Sequence, residues 1–208
     1  MNNNKMVSVI MPTYNRSYII DRAIHSVIDQ EYTDYELIVV DDGSDDDTSE
    51  VVKRFGDPRI KYIKYDKNRG GNHARNLGMS IAKGEYYAFL DSDNVWEKDH
   101  LSVRINLLDS ADHPVLSFGR MVMIREGEKE MVFPSGAPSE LSDRQCLLKR
   151  MLFRNHIDTN TVVLSRDCYG VDNGYDLSFT RLQDWDFFLG LIETVANPHL
   201  RWGERNEQ

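Results

Sequence analysis

The sequence predicts an α/β fold with a mostly parallel central sheet, helices on both faces and a smaller antiparallel element in the second half. Three observations carry this. Apolar runs of strand length alternate with apolar residues at helical spacing from residue 7 to residue 91. Three of those runs end in polar clusters: Pro12-Thr13-Tyr14-Asn15-Arg16, Asp41-Asp42 and Asp91-Ser92-Asp93. Beyond Trp96 the strict alternation gives way to a hairpin-like pair of stretches and further helical stripes.

Val7 to Met11 reads as the first strand. Ile20, Ala23, Ile24, Val27 and Ile28 recur at helical spacing, with Ser17 in an N-cap position. Leu37 to Val40 is a second strand, and Val51, Val52 and Phe55 mark a short helix. Ile60 to Tyr65 alternates as a third strand. Ala74, Leu77, Gly78 and Ile81 mark a helix entered through Asn68-Arg69-Gly70-Gly71. The run Tyr86 to Leu90 is a fourth strand, buried by its composition. Leu101, Ile105 and Leu108 predict a helix after Trp96. Val115 to Ile124 and Met131 to Phe133 predict a hairpin, Leu147, Leu148, Met151 and Leu152 a helix, and Thr161 to Leu164 a strand. Trp185, Phe188, Leu189 and Ile192 form a last apolar stripe, read as core.

Composition bounds the function. The chain has 208 residues, 40% hydrophobic and 28% charged, which suits one globular domain with a full core. A net charge of −9 argues against nucleic-acid binding and against simple electrostatic docking on anionic lipid. Cys146 and Cys168 have no metal or redox spacing and read as reduced structural thiols. No secretory signal and no transmembrane run is legible, which predicts a cytoplasmic protein with room for peripheral association at the inner face of a membrane. His25, His100 and His113 form no metal-binding pattern.

In a parallel sheet the three polar strand ends open toward one edge, where open α/β folds place ligands. In extended backbone Asp91 and Asp93 share a side and form a pair of hard oxygen ligands for a divalent cation. The collection suits a nucleoside diphosphate. Tyr14 is placed to stack on a base, Asp42 to accept from a base N–H, Asp91 to hold ribose hydroxyls and Asp93 to hold the metal. Each has a plain structural alternative: a packed ring for Tyr14, a turn for Asn15, a helix-capping acid for Asp42. Asp41 reads as a structural acid. A dinucleotide-binding oxidoreductase wants Gly-x-Gly-x-x-Gly after the first strand, and this chain has Pro12-Thr13-Tyr14-Asn15 instead.

The run Val7 to Arg16, the segment Glu36 to Ser44, Asn68-Arg69-Gly70-Gly71 with Ala74-Arg75-Asn76-Leu77-Gly78, Gly84-Glu85-Tyr86, Asp91-Ser92-Asp93 and Gln183-Asp184-Trp185-Asp186 together resemble family 2 glycosyltransferases. The resemblance implies the GT-A fold, a nucleotide-sugar donor with UDP favoured, Mn²⁺ or Mg²⁺ as cofactor, a saccharide or glycolipid acceptor and inversion at the anomeric carbon. It implies that Pro12, Thr13, Tyr14 and Asn15 line the base and ribose pocket and that Asp42 reads the base. Gly71 and Arg75 lie near the base or diphosphate, Asp91 and Ser92 near the ribose. By the same resemblance Asp93, with Asp91, would bind the metal, and Asp184 would be the general base. Two departures stand out. Gln183 replaces the usual Glu before that Asp, and Asn94 replaces a frequent acid after Asp93.

On this reading residues 1–208 are one GT-A domain, with a nucleotide-binding half at 1–95 and an acceptor half at 96–208, truncated at its C-terminus. A catalytically decayed nucleotide-sugar-binding module is the alternative, with Gln183 its foothold. Asp184 has helix capping as its structural alternative, and Asp186 reads as a helix-dipole partner. Arg201-Trp202 resembles part of a processive-synthase motif, but Pro198 stands where its Gln belongs, so transfer of one sugar per encounter is expected. His199 falls near the diphosphate or metal on the same reading.

Overall fold

The computed structural model describes residues 5–110, 116–125, 128–133, 149–168 and 174–196. The predicted alternation is present. In chain order come β1 (Val7–Thr13), α1 (Ile20–Ile28), β2 (Tyr35–Asp41), α2 (Thr48–Lys53), β3 (Ile60–Lys64), α3 (Gly71–Ile81), β4 (Tyr86–Phe89) and α4 (His100–Asp109). Then follow β5 (Leu116–Ser117), β6 (Met121–Arg125), β7 (Glu128–Phe133), a 3₁₀ turn (Thr159–Thr161), β8 (Val163–Ser165) and α5 (Gln183–Ala196). The main sheet runs β3-β2-β1-β4-β8-β5. Its first four strands are parallel, and β8 is antiparallel to both β4 and β5.

Every residue of β1, β2 and β4 is buried, as expected for parallel strands covered on both faces. Alternate side chains divide between two cores. Val7, Val9 and Met11 pack with Ile20, Ala23, Ile24 and Val27 of α1 and Leu101, Ile105 and Leu108 of α4. Ile10, Ile38, Val40 and Phe89 pack on the opposite face with Ala74 of α3 and Phe187, Phe188, Leu191 and Ile192 of α5. Each fully buried aliphatic side chain contributes about 1.5–3 kcal/mol before entropy is subtracted.

Two glycines set close approaches. A Cβ at Gly78 would lie 2.5 Å from Ile10 Cγ2, so α3 can sit on β1 only through a bare backbone. Gly43 has φ +83, and a Cβ there would lie 2.6 Å from the Lys67 carbonyl carbon. The turn after β2 is thereby pressed against the loop that enters α3.

Several expectations need correction. Ser17 does not cap α1: its N–H donates to Asp46 Oδ2 (2.9 Å), and Ile19 holds the cap position without a side-chain bond. Val115 to Ile124 is not one strand. Leu116–Ser117 joins the main sheet, and a separate hairpin forms from β6 and β7, with a bulge between Met123 and Ile124. The expected strand from Thr161 starts two residues later, because Thr159–Thr161 closes a 3₁₀ turn. Leu147, Leu148, Cys146, His113 and His199 lie outside the described residues. Of the same expected helix, Met151 is buried and Leu152 exposed.

A buried carboxylate pins β1, β2, β3 and the turn before β4. Glu36 accepts from Ser8 Oγ (2.6 Å), the Lys83 N–H (2.6 Å) and Lys61 Nζ (2.5 Å). Burial raises its pKa, but these donors outweigh that and hold it below the ordinary 4.5. Glu36→Ala is expected to destabilise the fold by about 3 kcal/mol in urea melts, because Ser8 and the Lys83 N–H lose their acceptor. Since the folded-state pKa is depressed, this contribution is present above the unfolded value and fades as pH falls below it. The gap between wild type and variant should therefore narrow in melts at acid pH.

Candidate active site

The parallel order brings the ends of β1, β2 and β4 to one edge, and hydrogen bonds between neighbouring loops close it. Asn15 stands at φ +52, a left-handed turn that asparagine tolerates. Its N–H donates to Ser44 Oγ (2.8 Å), and its Oδ1 accepts from the Asp45 N–H (3.0 Å). The Arg16 N–H donates to Thr48 Oγ1 (3.1 Å). Asp46 holds both the Ser17 and Thr48 N–H groups. Burial opposes its charge, but hydrogen bonds from Thr48 and Ser17 bring its pKa down to about 2. The loops after β1 and β2 thus form one unit.

Asp41 is the structural acid expected. It accepts from the Ser44 N–H (2.7 Å) and from the Tyr62 hydroxyl. Asp42 is also buried, with its carboxylate accepting from the Arg69 N–H (2.7 Å) and the Gly70 N–H (2.6 Å). It therefore ties the end of β2 to the entrance of α3 and retains spare lone pairs. Pro12 is buried opposite Val40, two residues beyond Ile10, the last residue of β1 paired with β4. Thr13 is buried, and Tyr14 is 44% exposed at the rim.

Asp91 and Asp93 do not share a side. The Asn94 N–H donates to the Asp91 carbonyl (3.0 Å), so residues 91–94 form a turn rather than extended backbone. Asp91 turns inward and accepts from Arg75 Nη2 (2.6 Å). Asp93 turns outward and pairs with Arg16 Nη2 at 3.6 Å. Ser92 between them is buried. Arg75 itself is 8% exposed and lies over the Tyr175 ring at 5.4 Å. Burial works against its charge, but Asp91, Tyr175 and Asp184 outweigh that and keep it protonated. Gly71, in the first turn of α3, leaves room for this guanidinium: a Cβ there would lie 3.2 Å from Arg75 Nη1.

Asp184 is the second residue of α5, inside the first turn rather than at a cap. Leu182 just before it has φ +60, a strained conformation for leucine costing on the order of 1–2 kcal/mol. Burial raises the Asp184 pKa above the ordinary 3.8. Arg75 opposes the shift, while Asp91 and Asp158 add to it. Asp184 Oδ1 is buried without a hydrogen-bond partner among the described residues. Asp186 shares the first turn. The sequence placed Asp184 beside no particular partner; the fold sets it in the field of Arg75.

Four contributors were missed. Asn160 Oδ1 accepts from the Asp91 N–H (2.6 Å), and its carbonyl accepts from Trp96 Nε1 (2.5 Å). Asp158 accepts from the Asn160 N–H (2.9 Å) and is raised in pKa, first by burial. Thr159 and Tyr175 are buried at the same place. A signal existed: Asp158-Thr159-Asn160 is a polar cluster at the start of a strand. Because β8 is antiparallel, its start lies at the edge where the parallel strands end.

Among the described residues no group of three or more His, Cys, Asp or Glu side chains could hold a metal ion, and no helix is long and apolar enough to cross a membrane. Asp93, half exposed, offers a hard carboxylate oxygen of the kind that suits Mg²⁺ or Mn²⁺ when substrate phosphates complete the shell, whereas Asp91 is engaged by Arg75.

Comparison with known proteins gives the family. The profile described as Glycosyl transferase family 2 matches residues 8–172. The chain belongs to that family. It is 31% identical over 205 residues to a putative colanic acid biosynthesis glycosyl transferase, WcaA, of Escherichia coli K12, covering 95% of this chain and 70% of that one. It is 30% identical over 189 residues to the Escherichia coli UDP-Glc:alpha-D-GlcNAc-diphosphoundecaprenol beta-1,3-glucosyltransferase WfgD, covering 90% and 70%. In structure it resembles S. aureus TarS 1-349 in complex with UDP, with TM-score 0.71 and 22% identity over 90% of this chain and 55% of that one. It also resembles the mannosyltransferase PcManGT of Pyrobaculum calidifontis in complex with GDP-Man and Mn²⁺, with TM-score 0.64 and 20% identity over 91% and 52%. The chain spans about half the length of these two solved structures. The fold is GT-A, and the chain is a family 2 glycosyltransferase.

Asp91→Ala is expected to lower stability by about 2 kcal/mol or more, because it leaves the Arg75 charge buried without its partner. Thermal unfolding of Asp91→Ala against Arg75→Met/Asp91→Ala checks this. The double variant should recover part of the loss.

Proposed function

We propose that this glycosyltransferase moves one sugar from a nucleoside-diphosphate donor, UDP-sugar by preference, to an acceptor hydroxyl with inversion, in bacterial polysaccharide or glycolipid synthesis. Residues 1–208 would act as one domain, with 1–95 holding the donor and 96–208 facing the acceptor. One observation carries the reading: Asp184 of α5 and Asp91 at the end of β4 act on one guanidinium, that of Arg75. The relatives' names add the donor and acceptor classes, UDP-Glc and a sugar on diphosphoundecaprenol among them.

Tyr14, exposed at the rim, offers a ring for base stacking. Asp42 has lone pairs left for a base N–H beyond the two backbone donors it holds. Pro12, Thr13 and Asn15 shape the floor and rim beside it, and Gly71 and Ser92 let the donor approach the backbone. Asp91, held by Arg75 and Asn160, is fixed to receive ribose or sugar hydroxyls. Asp93 would hold Mn²⁺ or Mg²⁺, with Asp91 near. When bound, the metal stabilises the negative charge that grows on the departing diphosphate.

Asp184 takes the proton of the acceptor hydroxyl as that oxygen attacks the anomeric carbon. Its raised pKa makes it a stronger base than an exposed aspartate. Arg75 favours its ionised form against that burial. A single base and no covalent nucleophile gives inversion.

Asp93→Ala should abolish the metal-dependent stabilisation by UDP in a thermal-shift screen of UDP, GDP, dTDP and CDP with and without Mn²⁺. Asp184→Asn should keep that stabilisation and lose at least about 100-fold in turnover. Full turnover by Asp184→Asn removes it as the base. Because Asp184 must be ionised and its pKa is raised, kcat/KM should fall toward acid pH with a midpoint above 3.8.

A further inference from the structure

Three buried polar atoms next to one another have no hydrogen-bond partner among the described residues: Thr159 Oγ1, Tyr175 Oη and Asp184 Oδ1. Thr159 and Tyr175 are each 2% exposed. Buried polar groups are almost always paired, so three such atoms together need an account. They are neighbours. The Thr159 hydroxyl stands close enough to favour the charged form of both Asp184 and Tyr175, yet hydrogen-bond geometry is not completed with either.

Thr159 is also unlike the threonine two residues on. Thr161 Oγ1 donates back to the Asp158 carbonyl (2.8 Å), the usual local bond of a threonine in a turn. Thr159 makes no such bond, and its hydroxyl is left for tertiary use. Both hydroxyls ride on fixed mounts. Tyr175 stacks on Phe187 with ring centroids 4.2 Å apart. Its backbone is held by Asn76 from both sides, at 2.7 and 2.8 Å. The Thr159 turn is held by Asp158 and by Trp96 through Asn160. Asp184 sits one residue inside a helix entered through the strained Leu182.

We propose that Thr159 is a positioning residue for Asp184, in a chain where Tyr175 Oη donates to Thr159 Oγ1 and Thr159 Oγ1 donates to Asp184 Oδ1. This rests on Asp184 being the general base. Burial keeps the Tyr175 phenol protonated, so it can only head the chain as donor. The charged groups that face Asp184 are Arg75 from α3, Asp91 from the end of β4 and Asp158 beside Thr159, with Asp186 on its own helix. Their attraction and repulsion set how readily Asp184 ionises. They do not fix the rotation of its carboxylate. A hydroxyl bonded to Oδ1 does, and it turns Oδ2 toward the acceptor. No proton leaves Tyr175 or Thr159 in the cycle.

The test uses the full chain with Mn²⁺ and UDP-glucose, reading UDP release, beside UDP affinity and melting temperature. Thr159→Val should lower kcat about tenfold to 100-fold, as a misaimed base does, with KM and UDP affinity within about twofold of wild type. Thr159→Ser, which restores the hydroxyl, should return most of kcat. Tyr175→Phe should cause a smaller fall of the same kind. If valine unfolds the protein, Thr159→Ala carries the same expectation. A crystal structure with UDP should place Thr159 Oγ1 about 2.5–3.0 Å from Asp184 Oδ1. Unchanged kcat in Thr159→Val overturns the proposal, as does a joint loss of kcat, UDP affinity and melting temperature that serine does not rescue. The base reading fails separately: Asp184→Asn at full turnover removes it, whereas an inactive Asp184→Asn beside a fully active Thr159→Val removes only the positioning role.

Discussion

The ion pair between Arg75 and Asp91, 2.6 Å long, joins the two halves of the active edge. Arg75 comes from α3, whose entrance is held by Asp42 at the end of β2. Asp91 comes from the end of β4 and is held in turn by Asn160, ahead of the antiparallel β8. The same helix reaches the segment before α5: Asn72 donates to the Asp176 carbonyl (3.0 Å), and Asn76 clasps the Tyr175 backbone. A guanidinium that is 8% exposed is costly to bury, and this one is retained because carboxylates surround it. Without it, Asp91, Asp158 and Asp184 would repel one another across the cleft.

That arrangement separates the acids by environment. Asp93 is half exposed and faces Arg16, an open position suited to a hydrated cation. Asp91 is neutralised by a buried partner and serves as a fixed acceptor. Asp184 is largely desolvated, with Oδ1 unpaired among the described residues, so its proton affinity rises. Three aspartates of one edge thus stand in three different environments because burial and neighbours differ.

Much of this was legible in the residues. The alternation of apolar runs fixed the strand and helix order through Asp91, and the parallel sheet put the strand ends together. Asp41 as a structural acid and the apolar stripe of α5 were equally readable. The misses have physical causes. The Asp91–Asp93 pair was expected on one side because extended backbone repeats every two residues, but the Asn94 N–H closes a turn and sends them opposite ways. Ser17 has the right chemistry for a cap, yet the helix starts at Ile20, which leaves Ile19 in the cap position and Ser17 two residues before it. Asp158, Thr159 and Asn160 looked like a polar lead-in to a strand. Their relevance depends on that strand running backwards.

The sequence alone determined what repeats locally: which segments bury both faces, where strands end and which polar residues stand at those ends. These follow from side-chain period and chain order, which one chain displays in full. Only the tertiary structure decided which carboxylate meets which cation, because Arg16–Asp93 and Arg75–Asp91 cross large gaps in sequence. It also decided the surroundings of Asp184. Desolvation and the field of neighbouring charges are properties of the packed cleft, and no spacing in the chain encodes them directly.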